Sequence, residues 1–145
     1  MLTISLSPYI VTVVASLVIA QGVKYIVAAM RTGGLSGWRQ LYASGSMPSA
    51  HSASVIGLLV MIGLRDGTDS GLFGLSLLLS IIVMYDAIMV RRSVGEQGGV
   101  IQKLIEVTKS ALPLPHSAKG HTPLELLTGA LVGAAVSLVV FFATK

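Results

Sequence analysis

The sequence predicts an all-α membrane protein: a polytopic bundle of about four transmembrane helices plus one interfacial amphipathic helix. Three observations predict it. Of the 145 residues, 53% are hydrophobic and only 11% are charged, where a soluble domain carries about a quarter charged residues. The mean hydropathy is +0.83. The apolar residues also fall in blocks near the roughly 20-residue length that crosses a bilayer. The length fits a single membrane domain over residues 1–145. The absence of cysteine removes disulfide frameworks, thiolate metal sites and cysteine nucleophiles. The net charge of +4 is spread over loops without a dense basic patch, so nucleic acid is not an expected partner.

The first span runs from Pro8 to Met30, with one charge, Lys24, near its end. It lacks the basic start and short apolar core of a signal peptide. A second, shorter span runs from Pro48, taken as the first helical residue, to Leu64. A third runs from Ser70 to Val90 and contains Asp86; the fourth runs from Pro123 to Thr144 with Glu125 at its beginning. Between the last two, Val100, Ile101, Leu104, Ile105 and Leu112 recur at helical spacing, with Gln102, Lys103, Glu106 and Lys109 on other faces. That segment, Gly95 to Leu112, reads either as an interfacial amphipathic helix or as a helix laid over the bundle's end. Pro113 is expected to stop it. The Thr32–Met47 loop carries Gly33, Gly34, Gly37 and Gly45, with Trp38 and Tyr42 suited to the headgroup level. Gly129 and Gly133 form a GxxxG pair that lets helices approach closely. Close packing inside one bundle is the preferred reading, and a homo-oligomeric seam is the alternative.

The loops on one side collect Arg31, Arg39, Arg91, Arg92, Lys103, Lys109 and Lys119, while the other side collects Arg65 and Lys145. The positive-inside rule places the first side in the cytoplasm of a multi-pass cell-membrane protein. The same end gathers the ionisable residues of the spans: Lys24, Arg31, His51, Asp86, Arg91, Arg92, His121 and Glu125. Ionisable groups in membrane segments are costly and point to function. Two helix starts, Met47-Pro48-Ser49-Ala50-His51-Ser52 and Gly120-His121-Thr122-Pro123-Leu124-Glu125, each bring a histidine to that level. Helix N-termini, the Ser49 hydroxyl and cations together suit a phosphate. One histidine can attack phosphorus while the other protonates the leaving oxygen. Thr122 and Glu125 also satisfy a capping box, which gives Glu125 a structural role of its own. His116, in a proline-rich loop, reads as a bystander.

These stretches resemble the type 2 phosphatidic acid phosphatase (PAP2) superfamily, and more closely its small divergent membrane branch. Lys24, six intervening residues and Arg31 resemble KxxxxxxR; Pro48-Ser49-Ala50-His51 resembles PSGH. Arg92 or Arg91, then His121 and Glu125, resemble SRxxxxxHxxxD. The chain departs from the parent pattern in Thr32, Ala50, Glu125 and the 28 residues between Arg92 and His121. The resemblance implies a PAP2-like helix bundle and a membrane lipid-phosphate phosphatase acting through phosphohistidine, without metal or other cofactor. His121 would be the nucleophile, Glu125 its orienting acid and His51 the general acid and base. Lys24, Arg31 and Arg92 would clamp the phosphoryl oxygens, with Ser49 and Arg91 beside them. Asp86, which has no counterpart in the pattern, would pair with Arg91, Arg92 or Lys24. Phosphatidate, phosphatidylglycerophosphate or a polyprenyl (di)phosphate would be the substrate. The alternatives are a non-catalytic binder or carrier of phosphorylated lipid, and a metal site built from His51, Asp86, His121 and Glu125.

Overall fold

The computed structural model describes residues 6–32, 47–114 and 120–145, without the side chains of residues 31 and 32. The glycine-rich loop with Trp38, Arg39 and Tyr42, the Arg31 side chain, Pro115, His116 and Lys119 lie outside the described residues. All described secondary structure is helical: α1 (Pro8–Thr32), α2 (Ala50–Arg65), α3 (Gly71–Tyr85), a π-helical turn (Asp86–Val90), α4 (Arg91–Thr108) and α5 (Pro123–Ala143).

Among the described residues, three helices are long and apolar enough to cross a membrane: α1 from Pro8 to Met30, the continuous Gly71–Thr108 helix, and α5. The fourth expected span, α2, has 16 residues. At 1.5 Å per residue it covers only about 24 Å. This short helix is nevertheless central, packing against α1, α3 and α5. Its start differs from the sequence expectation. Ser49 is the N-cap, its hydroxyl oxygen accepting from the Ser52 N–H at 3.4 Å. Pro48 therefore precedes the cap rather than opening the helix.

Small residues make the close helix contacts, with Met61 and Leu126 fully buried among them, and most large apolar side chains face outward. On α1, Thr12, Ser16, Ala20 and Lys24 recur every fourth residue, so they share one face, and all four are buried. On α5, Gly129 and Gly133 lie on the backbone carbonyls of Ser49 and Ala53, leaving no space for a side chain. Gly57 of α2 faces the Ser16 hydroxyl and the Gly133 carbonyl. The GxxxG pair thus serves contact between α2 and α5 within the chain. Ser80 of α3 donates to Val55 O of α2 at 3.3 Å and to Ser76 O at 2.8 Å. Large apolar side chains such as Val18, Ile26, Leu75, Leu131 and Val139 point outward. Lipid tails solvate such a surface, and close backbone contact replaces the hydrophobic drive to associate.

Contacts at the helix ends fix directions. Tyr9 Oη donates to both Asp66 carboxylate oxygens, at 2.9 and 2.8 Å, joining the start of α1 to the end of α2. Arg65 donates to Thr144 O and Oγ1, at 2.6 and 2.7 Å, joining the ends of α2 and α5. At the other end, Ser49 N–H donates to Glu125 O at 3.0 Å. Helices α2 and α5 therefore run parallel, with α1 antiparallel to both.

The amphipathic segment is not a separate helix beginning near Gly95. Helix α4 starts at Arg91 as a continuation of α3 through the π-turn. The 38-residue whole is about 57 Å long, against a hydrocarbon core of about 30 Å. No α4 residue is buried, so it is not laid over the bundle's end. It stops at Lys109, whose left-handed backbone (φ 48°) lets Ser110 N–H reach Ile105 O. The stop thus comes before Pro113.

Candidate active site

The polar end is organised around Glu125. Thr122 and Pro123 start α5 with a capping box: Glu125 N–H donates to Thr122 Oγ1 at 3.3 Å, and Thr122 N–H donates to Glu125 Oε2 at 3.0 Å. The same Oε2 lies 3.0 Å from His121 Nδ1. His121 stands just before the cap, outside the helix, yet folds back onto the N3 carboxylate. One carboxylate therefore joins the capping box to the His121 ring. A carboxylate accepts hydrogen bonds, and in the neutral imidazole tautomer that donates Nδ1–H to it the lone pair is on Nε2. The two side chains are only 11% and 16% exposed, which shields the pair from competing water.

The His121 main chain is held by α3's extension. Its N–H donates to Ala87 O in the π-turn at 3.1 Å. Gly120 lies on the Arg92 backbone, where a Cβ would sit 2.6 Å from Arg92 N and Cα. The sequence marks the stretch that begins at Gly120 but assigns no role to Gly120 itself or to Ala87. Ala87 acts through its carbonyl, which leaves no side-chain signal.

His51 occupies the first turn of α2 and is exposed. Lys24, Asp86, Arg91 and His121 all lie within electrostatic range of its ring, and Lys24 lies within range of Glu125. The site therefore brings together α1, α2, the π-turn and the start of α5. Ser49, by contrast, is buried and its hydroxyl oxygen is occupied by the α2 cap. Of the partners considered for Asp86, the ion pair forms with Arg91, Nε to Oδ2 at 2.7 Å. Arg92 pairs with Glu96 at 3.1 Å on the exposed face of α4. The helix starts offer fewer free donors than the sequence suggested, since Ser49 and Ser52 at α2, and Thr122 and Glu125 at α5, already spend their N–H groups. Among the described residues, no three His, Asp or Glu side chains are grouped to hold a metal ion.

A family model described as the Divergent PAP2 family matches residues 6–136, a range that includes every residue of the site. The chain is 34% identical over 143 residues to the "Uncharacterized membrane protein YuiD" of Bacillus subtilis (strain 168), covering 88% of this chain and 90% of that protein. No solved structure matches the chain. With the match running from α1 into α5, the chain belongs to the divergent PAP2 family of membrane proteins.

Proposed function

We propose that the protein is a membrane lipid-phosphate phosphatase that works through a phosphohistidine. The observation that carries this reading is the His121–Glu125 pair within electrostatic range of a second histidine, His51; with the hydrogen on Nδ1, Nε2 is the nucleophile. The Nε2 lone pair forms a bond to phosphorus as the bond to the lipid alkoxide breaks. His51 gives its proton to that alkoxide. Water then attacks phosphorus, His51 takes the water's proton, and the N–P bond breaks to release inorganic phosphate and neutral His121. Lys24 and the arginine beside Asp86 offset the charge on the equatorial oxygens, where electrostatic stabilisation of phosphoryl transfer is concentrated.

The substrate's phosphate would sit at the polar end and its tail among the lipids around the bundle. A phosphatidate, phosphatidylglycerophosphate or polyprenyl phosphate fits that description. The excess of Lys and Arg in the loops at this end supports a cytoplasmic site.

The test is phosphate release by the purified protein from a panel of lipid phosphates in EDTA. The wild type is expected to turn over without added metal and to be inhibited by vanadate, a mimic of pentacoordinate phosphorus. His121→Ala is expected to be inactive. Unchanged release by His121→Ala would reject the mechanism, and binding without release by the wild type would favour a carrier.

A further inference from the structure

We infer that the π-turn Asp86–Val90 is the positioning element of the site: its one extra residue brings Arg91 onto Asp86 and holds the His121 backbone. In a regular α-helix, residues five apart point about 140° away from each other. Asp86 and Arg91 are five apart, yet their side chains form a 2.7 Å ion pair. The wider turn makes this possible, with Arg91 N–H bonded to Asp86 O across the same five-residue step. Such turns occur as one-residue insertions in α-helices and concentrate at functional sites.

Three consequences meet in this turn. The Asp86 carboxylate fixes the guanidinium of Arg91, and both groups lie within electrostatic range of His51. The Ala87 carbonyl accepts the His121 N–H. The next residue, Arg92, presents its backbone to Gly120, directly before His121. Its side chain meanwhile turns to Glu96, lining an open cleft with Ile88, Met89 and Ser93 that includes neither histidine. Arg91 is therefore the anion-binding arginine of the pair, Asp86 is a positioning residue, and Arg92 contributes mainly through its backbone. Removing one residue from the turn would rotate Arg91 off the site and shift the Ala87 carbonyl.

The kinetic part of this inference rests on the phosphatase reading, and the binding part does not. The experiment compares wild type, Asp86→Asn, Arg91→Ala, Arg92→Ala, Glu96→Gln and a deletion of Ile88 in detergent. Phosphatidate turnover, vanadate inhibition and the melting-temperature shift caused by inorganic phosphate are measured for each. Asp86→Asn and Arg91→Ala should raise KM and weaken vanadate inhibition by about tenfold or more, with a smaller change in kcat. Arg92→Ala should lose far less than Arg91→Ala, and Glu96→Gln should behave as wild type. The deletion should lower kcat by about 100-fold or more, the scale expected when a reacting group is misplaced by an ångström, while retaining its helical circular-dichroism signal. Equal losses in Arg91→Ala and Arg92→Ala would overturn the inference, as would an active deletion variant. If the deletion variant does not fold, the Asp86, Arg91 and Arg92 comparison decides. If the wild type hydrolyses no lipid phosphate, the phosphatase reading fails, and the phosphate-induced melting shift decides the positioning role. A shift lost in Asp86→Asn and Arg91→Ala but kept in Arg92→Ala supports it. No shift in the wild type, or equal shifts in all variants, overturns it.

Discussion

A single carboxylate oxygen, Glu125 Oε2, lies 3.0 Å from His121 Nδ1 and also 3.0 Å from the Thr122 backbone nitrogen. The helix cap and the orientation of the histidine are thus one interaction. Through its carbonyl, the same residue accepts the Ser49 N–H two residues before His51. Glu125 therefore touches both the His121 ring and the cap of the helix that carries His51.

Glu125→Gln should separate the two roles. A glutamine can still accept from Thr122 N–H, so stability should fall by only about 1 kcal/mol. That same oxygen still faces Nδ1 but carries no negative charge to stabilise the imidazolium formed on phosphoryl transfer, and kcat should fall by about 10²–10⁴-fold. Thr122→Ala should show the reverse, losing about 1 kcal/mol of stability with turnover nearly retained. Thermal melts beside phosphate-release kinetics check the pair, and parallel losses in both variants would contradict the assignment.

His51→Ala should lose activity according to the leaving group. A lipid alkoxide needs a proton as it departs, so turnover of a natural lipid phosphate should fall by about 10²–10⁴-fold. An aryl phosphate, whose leaving group departs without protonation, should lose far less in its first step. A burst of phenol followed by slow turnover would follow, because His51 also activates the water of the second step. Equal losses on both substrates in the burst phase would contradict a general-acid role.

Gly133→Ala places a methyl group against the Ala53 carbonyl, where the contact between α2 and α5 leaves no space. Overpacking of this kind costs about 1–3 kcal/mol, measurable as a lower melting temperature in detergent. Gly74→Ala, with open space around it, should be neutral or slightly stabilising. Because α2 carries His51 at its start, Gly133→Ala should also lower activity, whereas Gly74→Ala should not.

Much of this architecture is legible in the sequence, for identifiable reasons. The Pro8 and Pro123 starts are marked by proline, and α5 additionally by the Thr122–Glu125 capping pattern. The convergence of Lys24, His51, Asp86, His121 and Glu125 follows from alternating spans, since each lies where its span reaches the same end of the bundle. The centrality of α2 is less visible, because hydropathy measures exposure to lipid rather than packing. Its Ala50, Ala53 and Gly57 are small for backbone contact, which shortens the apolar signal just where the helix is most enclosed. The π-turn is hidden for a different reason. Nothing in Asp86-Ala87-Ile88-Met89-Val90 disfavours an ordinary α-helix, so the reading broke the chain into a span and a separate amphipathic helix. The five-residue spacing of Asp86 and Arg91 becomes informative only once the backbone shows them paired.

The most direct test of the account is covalent trapping. The wild-type protein is mixed for milliseconds with a lipid phosphate labelled on phosphorus, quenched in alkali and digested. The account predicts a labelled, acid-labile and alkali-stable phosphohistidine on the peptide carrying His121, with no label in His121→Ala. Turnover of the lipid phosphate with no label on that peptide, or an undiminished label in His121→Ala, would contradict it.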